Sequence, residues 1–210
     1  KKISFSQVDA HSINIVFFIY FCLICSFFNI DLKILFKIYL LLSLIFILFN
    51  FKGLNLSLKK IDFLVFLVFF LLVISVFFTI AQNLKLEWDG HFWIEKVLIF
   101  FNNDKIENLK NVAIHPHYPH LGSYIWAFFW KNSFLELEYF GRYFYVYFYV
   151  VAIFLIFNSI NLSNKIIKLF IILFFLLITF ETYLFSGYQE YLIFSSLVLA
   201  SRFISLINFK

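Results

Sequence analysis

Between Trp88 and Trp130 the chain gathers all four of its tryptophans, both prolines and four of its five histidines. Two strings in that span carry residue types that do chemistry. The first is Glu87-Trp88-Asp89-Gly90-His91-Phe92-Trp93-Ile94-Glu95-Lys96. From Gly90 onward Phe92, Trp93, Val97, Ile99 and Phe100 recur as on one side of a short amphipathic helix, which places Asp89 at or just before a helix N-terminus. An aspartate there caps the helix, or it serves as a general base held at a membrane surface. The second string is His115-Pro116-His117-Tyr118-Pro119-His120, followed by Leu121-Gly122-Ser123. Its histidines, with help from His91, Glu95 or Asp89, have the donor types to hold a divalent metal. The spacing matches no closed structural zinc site and H-E-x-x-H is absent, so hydrogen-bonded or phosphate-contacting histidines are the default and no metal is assigned.

The elements that position these strings follow from composition. Hydrophobic residues make up 63% of the chain and charged residues 14%, far from a soluble globular domain. The expectation is an all-α, polytopic membrane bundle. Crossing a bilayer takes about 20 apolar residues in a helix. Six stretches qualify: Ile13 to Ile30, Ile34 to Phe51, Ile61 to Ala81, Tyr139 to Phe157, Ile166 to Phe185 and Tyr191 to Ile207. None shows the period-two alternation of barrel strands. Pro116 and Pro119 impose an extended approach, after which a short interfacial helix starts near Pro119.

Orientation follows the lysines and arginines of the short loops. A cytoplasmic N-terminus puts Lys1, Lys2, Lys52, Lys59, Lys60, Lys165, Lys168, Arg202 and Lys210 on the cytoplasmic side, and only Lys33 and nearby Lys37 opposite. The 82–138 loop then lies outside the cytoplasm, and the expected location is the inner (cytoplasmic) membrane. Helix counting adds a further point. That loop, the start of the fourth helix at Glu138 and Arg142, and the turn from Glu181 to Glu190 all emerge on one face, where distant polar residues can converge.

The net charge of +5 is spread over loop ends with no basic face, which speaks against nucleic acid and for topology signals and lipid-headgroup contacts. Cys22 and Cys25 form a C-x-x-C string in mid-helix, an apolar setting unsuited to redox or metal work. With no methionine and an end soon after the sixth helix, the chain reads as one membrane domain, 1–210, from the N-terminal part of a longer protein.

Trp88-Asp89 with Trp93 and Lys96 behind it, then His117-Tyr118-Pro119 with Ser123, set in an extracytoplasmic loop after membrane helices, resembles bacterial C-type glycosyltransferases. These are enzymes of the dolichyl-phosphate-mannose-mannosyltransferase-like and lipopolysaccharide-core-transferase-like kinds. The resemblance covers residues 87–142 and, by hydropathy alone, the rest. It implies inverting transfer of a sugar from a polyprenyl-phosphate donor to a glycolipid or other cell-envelope acceptor, with Asp89 as catalytic base. It implies substrate contacts from His91, Lys96, His115, His117, Tyr118 and Arg142. Where relatives carry Y-P-P this chain has Tyr118-Pro119-His120, and where they carry G-Y-A-D it has Gly187-Tyr188-Gln189-Glu190, which makes Glu190 a further contact.

The chemistry suits the residues present. A departing phosphate needs charge stabilisation more than protonation, so one carboxylate suffices, unlike the two-carboxylate arrangement of glycoside hydrolysis. An oligosaccharide polymerase or ligase is the alternative enzyme, although the loop has no arginine before Arg142. A non-catalytic membrane subunit is the third reading. A transporter fits less well, because the glycines sit near segment ends and both prolines in the loop.

Overall fold

Segments that are apolar on every side can satisfy their backbone only internally, and helices do so. In the computed structural model, residues 7–28, 30–50, 60–81, 83, 86, 88–112, 115–159, 165–179 and 185–208 are described. Among them there is no strand. The chain runs through α1 (Gln7–Cys25), α2 (Leu32–Asn50), α3 (Lys60–Ala81), α4 (Trp88–Phe101), a 3-10 turn (Ile106–Asn111), α5 (Leu121–Asn132), a second 3-10 turn (Glu138–Arg142), α6 (Tyr143–Ser159), α7 (Lys165–Thr179) and α8 (Glu190–Asn208). Two helical segments among these residues are long and apolar enough to cross a membrane, Val8–Cys25 and Glu138–Ser159, while Leu67–Ile80 within α3 is a shorter apolar run.

α6 is the axis. It packs against α1, α3, α5, α7 and α8, and Phe144, Tyr145, Val146, Phe148 to Leu155 and Phe157 are buried along it. Phe18 of α1 links the layers, with its ring 5.2 Å from Phe144, 5.4 Å from Phe128 and 5.2 Å from Tyr39. Such tilted and edge-on pairs follow the ring quadrupole.

Two boundaries depart from expectation for a physical reason. α1 begins at Gln7, not Ile13, and so includes Asp9 in its first turn. A helix N-terminus favours an acid. Here Arg202 of α8 also neutralises it, donating to Asp9 from Nε at 2.9 Å and Nη2 at 3.1 Å. α2 starts where Asp31 Oδ1 accepts the backbone N–H groups of Lys33 and Ile34 at 2.9 and 3.1 Å, an N-cap.

α5 is enclosed by protein, since Gly122 to Phe128 are all buried, between α4 on one side and α1, α2 and α6 on others. Its Trp126 is wholly enclosed. A β-carbon at Gly141 or at Gly187 would overlap the Trp126 indole, and Gly187 (φ 78°) also sits in the left-handed region that glycine adopts freely.

Candidate functional site

One end of the bundle collects the segments that the sequence placed on a common face. Gly90 lets α4 begin against the turn at Phe185–Gly187, where an added β-carbon would lie 3.0 Å from the Ser186 carbonyl oxygen. Arg142 is buried beside them. It donates to the Phe185 carbonyl at 2.5 Å and to Glu138 Oε2 at 2.8 Å, and its guanidinium lies 5.9 Å from the Trp126 ring centre. Gln189 donates to the Tyr145 hydroxyl at 2.7 Å. The 185–189 turn is thus tied by Arg142 to the 3-10 turn just before α6 and by Gln189 to the first turn of α6.

The loop between α4 and α5 is arranged around Lys96. Its side chain is 1% exposed, and Nζ donates to the carbonyls of His115 at 2.7 Å and Tyr118 at 3.0 Å. The ammonium also lies 5.1 Å from the Trp93 ring centre and 5.7 Å from that of Tyr118, a cation between π-faces. Burial lowers its pKa. Outside this tie, His115 and Tyr118 stack at 4.5 Å and 10°, and His117 stands edge-on to both.

Below the loop a cavity of about 680 Å³ runs between α8 and the α1, α5 and α6 layer, within the size range of small-molecule sites. Trp93, Tyr118, Pro119 and Glu190 line it where α8 begins, and Ser196, Leu197 and Ala200 line it further along α8. Its walls are almost wholly apolar. From Gln189 to Ala200 it follows α8 for roughly 16 Å at 1.5 Å per residue. No family model, curated protein or solved structure matches this chain.

Lys96, His115, His117 and Tyr118 come together, with Trp93 beside them. His91 is exposed on α4 and Glu190 is exposed at the start of α8, where it lines the cavity. Arg142 is enclosed with Glu138 some way from that cluster in the chain's packing, against Phe185 and Trp126. Asp89 lies in α4, but its side chain, like Glu87, is outside the described residues. Glu95 lines a separate surface hollow with Asp104, Asn108 and Asn111, and among the described residues no three His, Cys, Asp or Glu side chains gather as a metal site.

Sequence reasoning missed several polar pairs. His120, counted with the histidine cluster, is half-buried against Ser26 in the turn after α1, 3.0 Å from Oγ. Ser26 gives its only hydroxyl proton to the Leu23 carbonyl at 2.7 Å, so the His120 Nε2–H is the donor. Burial, and after it the Lys96 charge, lower the His120 pKa. Asp9–Arg202 and the His11–Tyr147 hydrogen bond at 2.7 Å lie far from the loop. Arg202 read as a topology signal because nothing in local spacing ties it to a residue 193 positions away.

Proposed function

We propose that this chain is the membrane-embedded part of an inverting glycosyltransferase that takes its sugar from a polyprenyl-phosphate donor. In this reading six helices span the inner membrane, the N-terminus is cytoplasmic, and the 82–138 loop faces the opposite side. The cavity along α8 carries the argument: apolar over about 680 Å³, it opens under a loop rich in histidine and tyrosine. A largely apolar slot whose polar side chains gather mainly where α8 begins, at Tyr118, Gln189 and Glu190, suits a ligand with a hydrocarbon chain and a polar head. To that end α4, which begins at Trp88, supplies Trp93.

Asp89 would accept the proton of the acceptor hydroxyl as that oxygen bonds to the anomeric carbon. The bond from that carbon to the donor phosphate oxygen breaks, and the lipid phosphate leaves with the electron pair. His91, His115 and His117 are exposed, and their imidazoles would meet the sugar-phosphate head of the donor. Lys96 contributes differently from a direct phosphate ligand, because two carbonyls hold its ammonium; its charge acts from behind the turn.

The test uses membranes containing the gene product with Asp89 or with Asp89→Asn, supplied with labelled polyprenyl-phosphate sugars. Release of free polyprenyl phosphate should fall about 100-fold or more in the variant, the usual scale for losing a general base. Undiminished release from a normally folded Asp89→Asn protein would sink the assignment.

A further inference from the structure

The His115–Tyr118 turn has a construction that a connecting loop does not need. It closes through the Tyr118 N–H donating to the His115 carbonyl at 3.1 Å. His115 itself has φ 50°, in the left-handed region where residues other than glycine are uncommon. Such a conformation persists where the surroundings over-determine it, and here Lys96 holds both ends of the turn by their carbonyl oxygens. The cation is buried on the inner side, and three rings stay exposed on the outer: His115, His117 and Tyr118, the last 44% exposed. They form a fixed group, with His117 at 85° and 5.0–6.0 Å from the stacked pair, 89° to Tyr118. Tyr118 also lines the cavity along α8, 6.1 Å from Trp93 between ring centres.

Rigid rings with polar edges have a chemical preference. A pyranose presents C–H bonds on its faces and hydroxyls around its rim. The His115 face turned away from Tyr118 and the His117 ring meet the first, while imidazole nitrogens and the Tyr118 hydroxyl exchange hydrogen bonds with the second. A hydrocarbon would leave those edge groups unused. We propose that the His115–Tyr118 turn is a saccharide platform that takes the sugar ring of an amphiphile whose chain lies in the cavity along α8. This rests on the lipid-linked-sugar reading above and adds which residues meet the sugar.

Binding alone tests it. The full chain in amphipol is titrated with octyl β-glucoside below its micellar concentration, and separately with octanol, following the fluorescence of Trp93 in the cavity lining. The glucoside should bind about three- to tenfold more tightly than octanol, the scale of aromatic contacts converted to affinity. Tyr118→Leu keeps an apolar lining and removes the ring, so it should abolish that advantage while octanol binding is unchanged. Retained octanol binding also reports a correctly folded cavity. His117→Ala, at an exposed ring, should reduce the advantage by a smaller factor. Equal affinities in the wild type, or a Tyr118→Leu loss shared by both probes, would overturn the platform. Asp89→Asn separates the two ideas: loss of sugar transfer with the glucoside preference intact supports both, whereas full transfer in that variant refutes the enzymatic reading and leaves the binding ratio to decide the platform.

Discussion

Replacing Arg202 by alanine should destabilise this protein more than replacing Asp9 by asparagine, although both break the same ion pair. The two partners sit in different surroundings. Asp9 is 1% exposed by side chain and Arg202 27%. Loss of Arg202 removes two charge-assisted hydrogen bonds from an enclosed carboxylate, a change that costs about 3–5 kcal/mol when one partner of a buried pair is deleted. Loss of the Asp9 charge leaves a guanidinium already in part at the surface, which can turn its head outward along its own stem. That lowers the expected cost to about 1–3 kcal/mol. The double change Asp9→Leu/Arg202→Leu should be milder than Arg202→Ala, because apolar pairs of similar volume often replace buried ion pairs with little loss. Denaturant titration in micelles, read by tryptophan fluorescence, gives all the stabilities needed. An Asp9→Asn loss equal to or larger than that of Arg202→Ala, or a double variant as unstable as Arg202→Ala, would refute the reasoning from exposure.

Gly187→Ala should cost about 2–4 kcal/mol, since the new methyl overlaps the Trp126 ring and the backbone leaves a glycine-favoured region; unfolding midpoints check this. His120 supplies a pH dependence. Its folded pKa lies below the ordinary 6.5, so its contribution is complete above that value and is lost as pH falls toward the folded pKa, the unfolded chain taking up the proton first. His120→Gln should remove this acid sensitivity, seen as a flatter stability profile below pH about 6.5. Lys33→Ala, by contrast, should leave the unfolding midpoint unchanged, because Lys33 and Glu136 pair at 2.8 Å in open solvent.

The helices were legible in the sequence because apolar runs of this length have one way to satisfy their backbone; α3, α7 and α8 begin within one residue of where hydropathy put them. The convergence of the loop, Arg142 and the 185–190 turn was also legible, from counting segments, and the Arg142–Phe185 hydrogen bond is its direct expression. The enclosure of α5 was not legible. Tryptophan and tyrosine mark both an interfacial belt and an enclosed core, and the packing of Trp126 against Gly141 and Gly187 joins residues well separated in the chain. The role of Lys96 was equally hidden. A lysine beside histidines suggests an anion, and nothing in the order of residues reveals that two carbonyls of the following loop turn toward its ammonium. His120 separated from its neighbours because its partner, Ser26, lies 94 positions earlier.

The Asp9–Arg202 pair also sets a timetable. Its partners are 193 residues apart, so at ribosomal speeds of about 5–20 residues per second the carboxylate of α1 waits roughly 10–40 s for its counter-ion to be made. During that interval the first helix carries a charge that its final neighbours have yet to enclose. α6 arrives with its partner α8 still unmade, and α1 gains its ion pair to α8 only once Arg202 has been added. A nascent chain halted before residue 202 would thus hold an open seam where α8 packs beside Asp9 of α1, the state most exposed to quality-control proteases and most dependent on whatever machinery shelters unfinished membrane proteins.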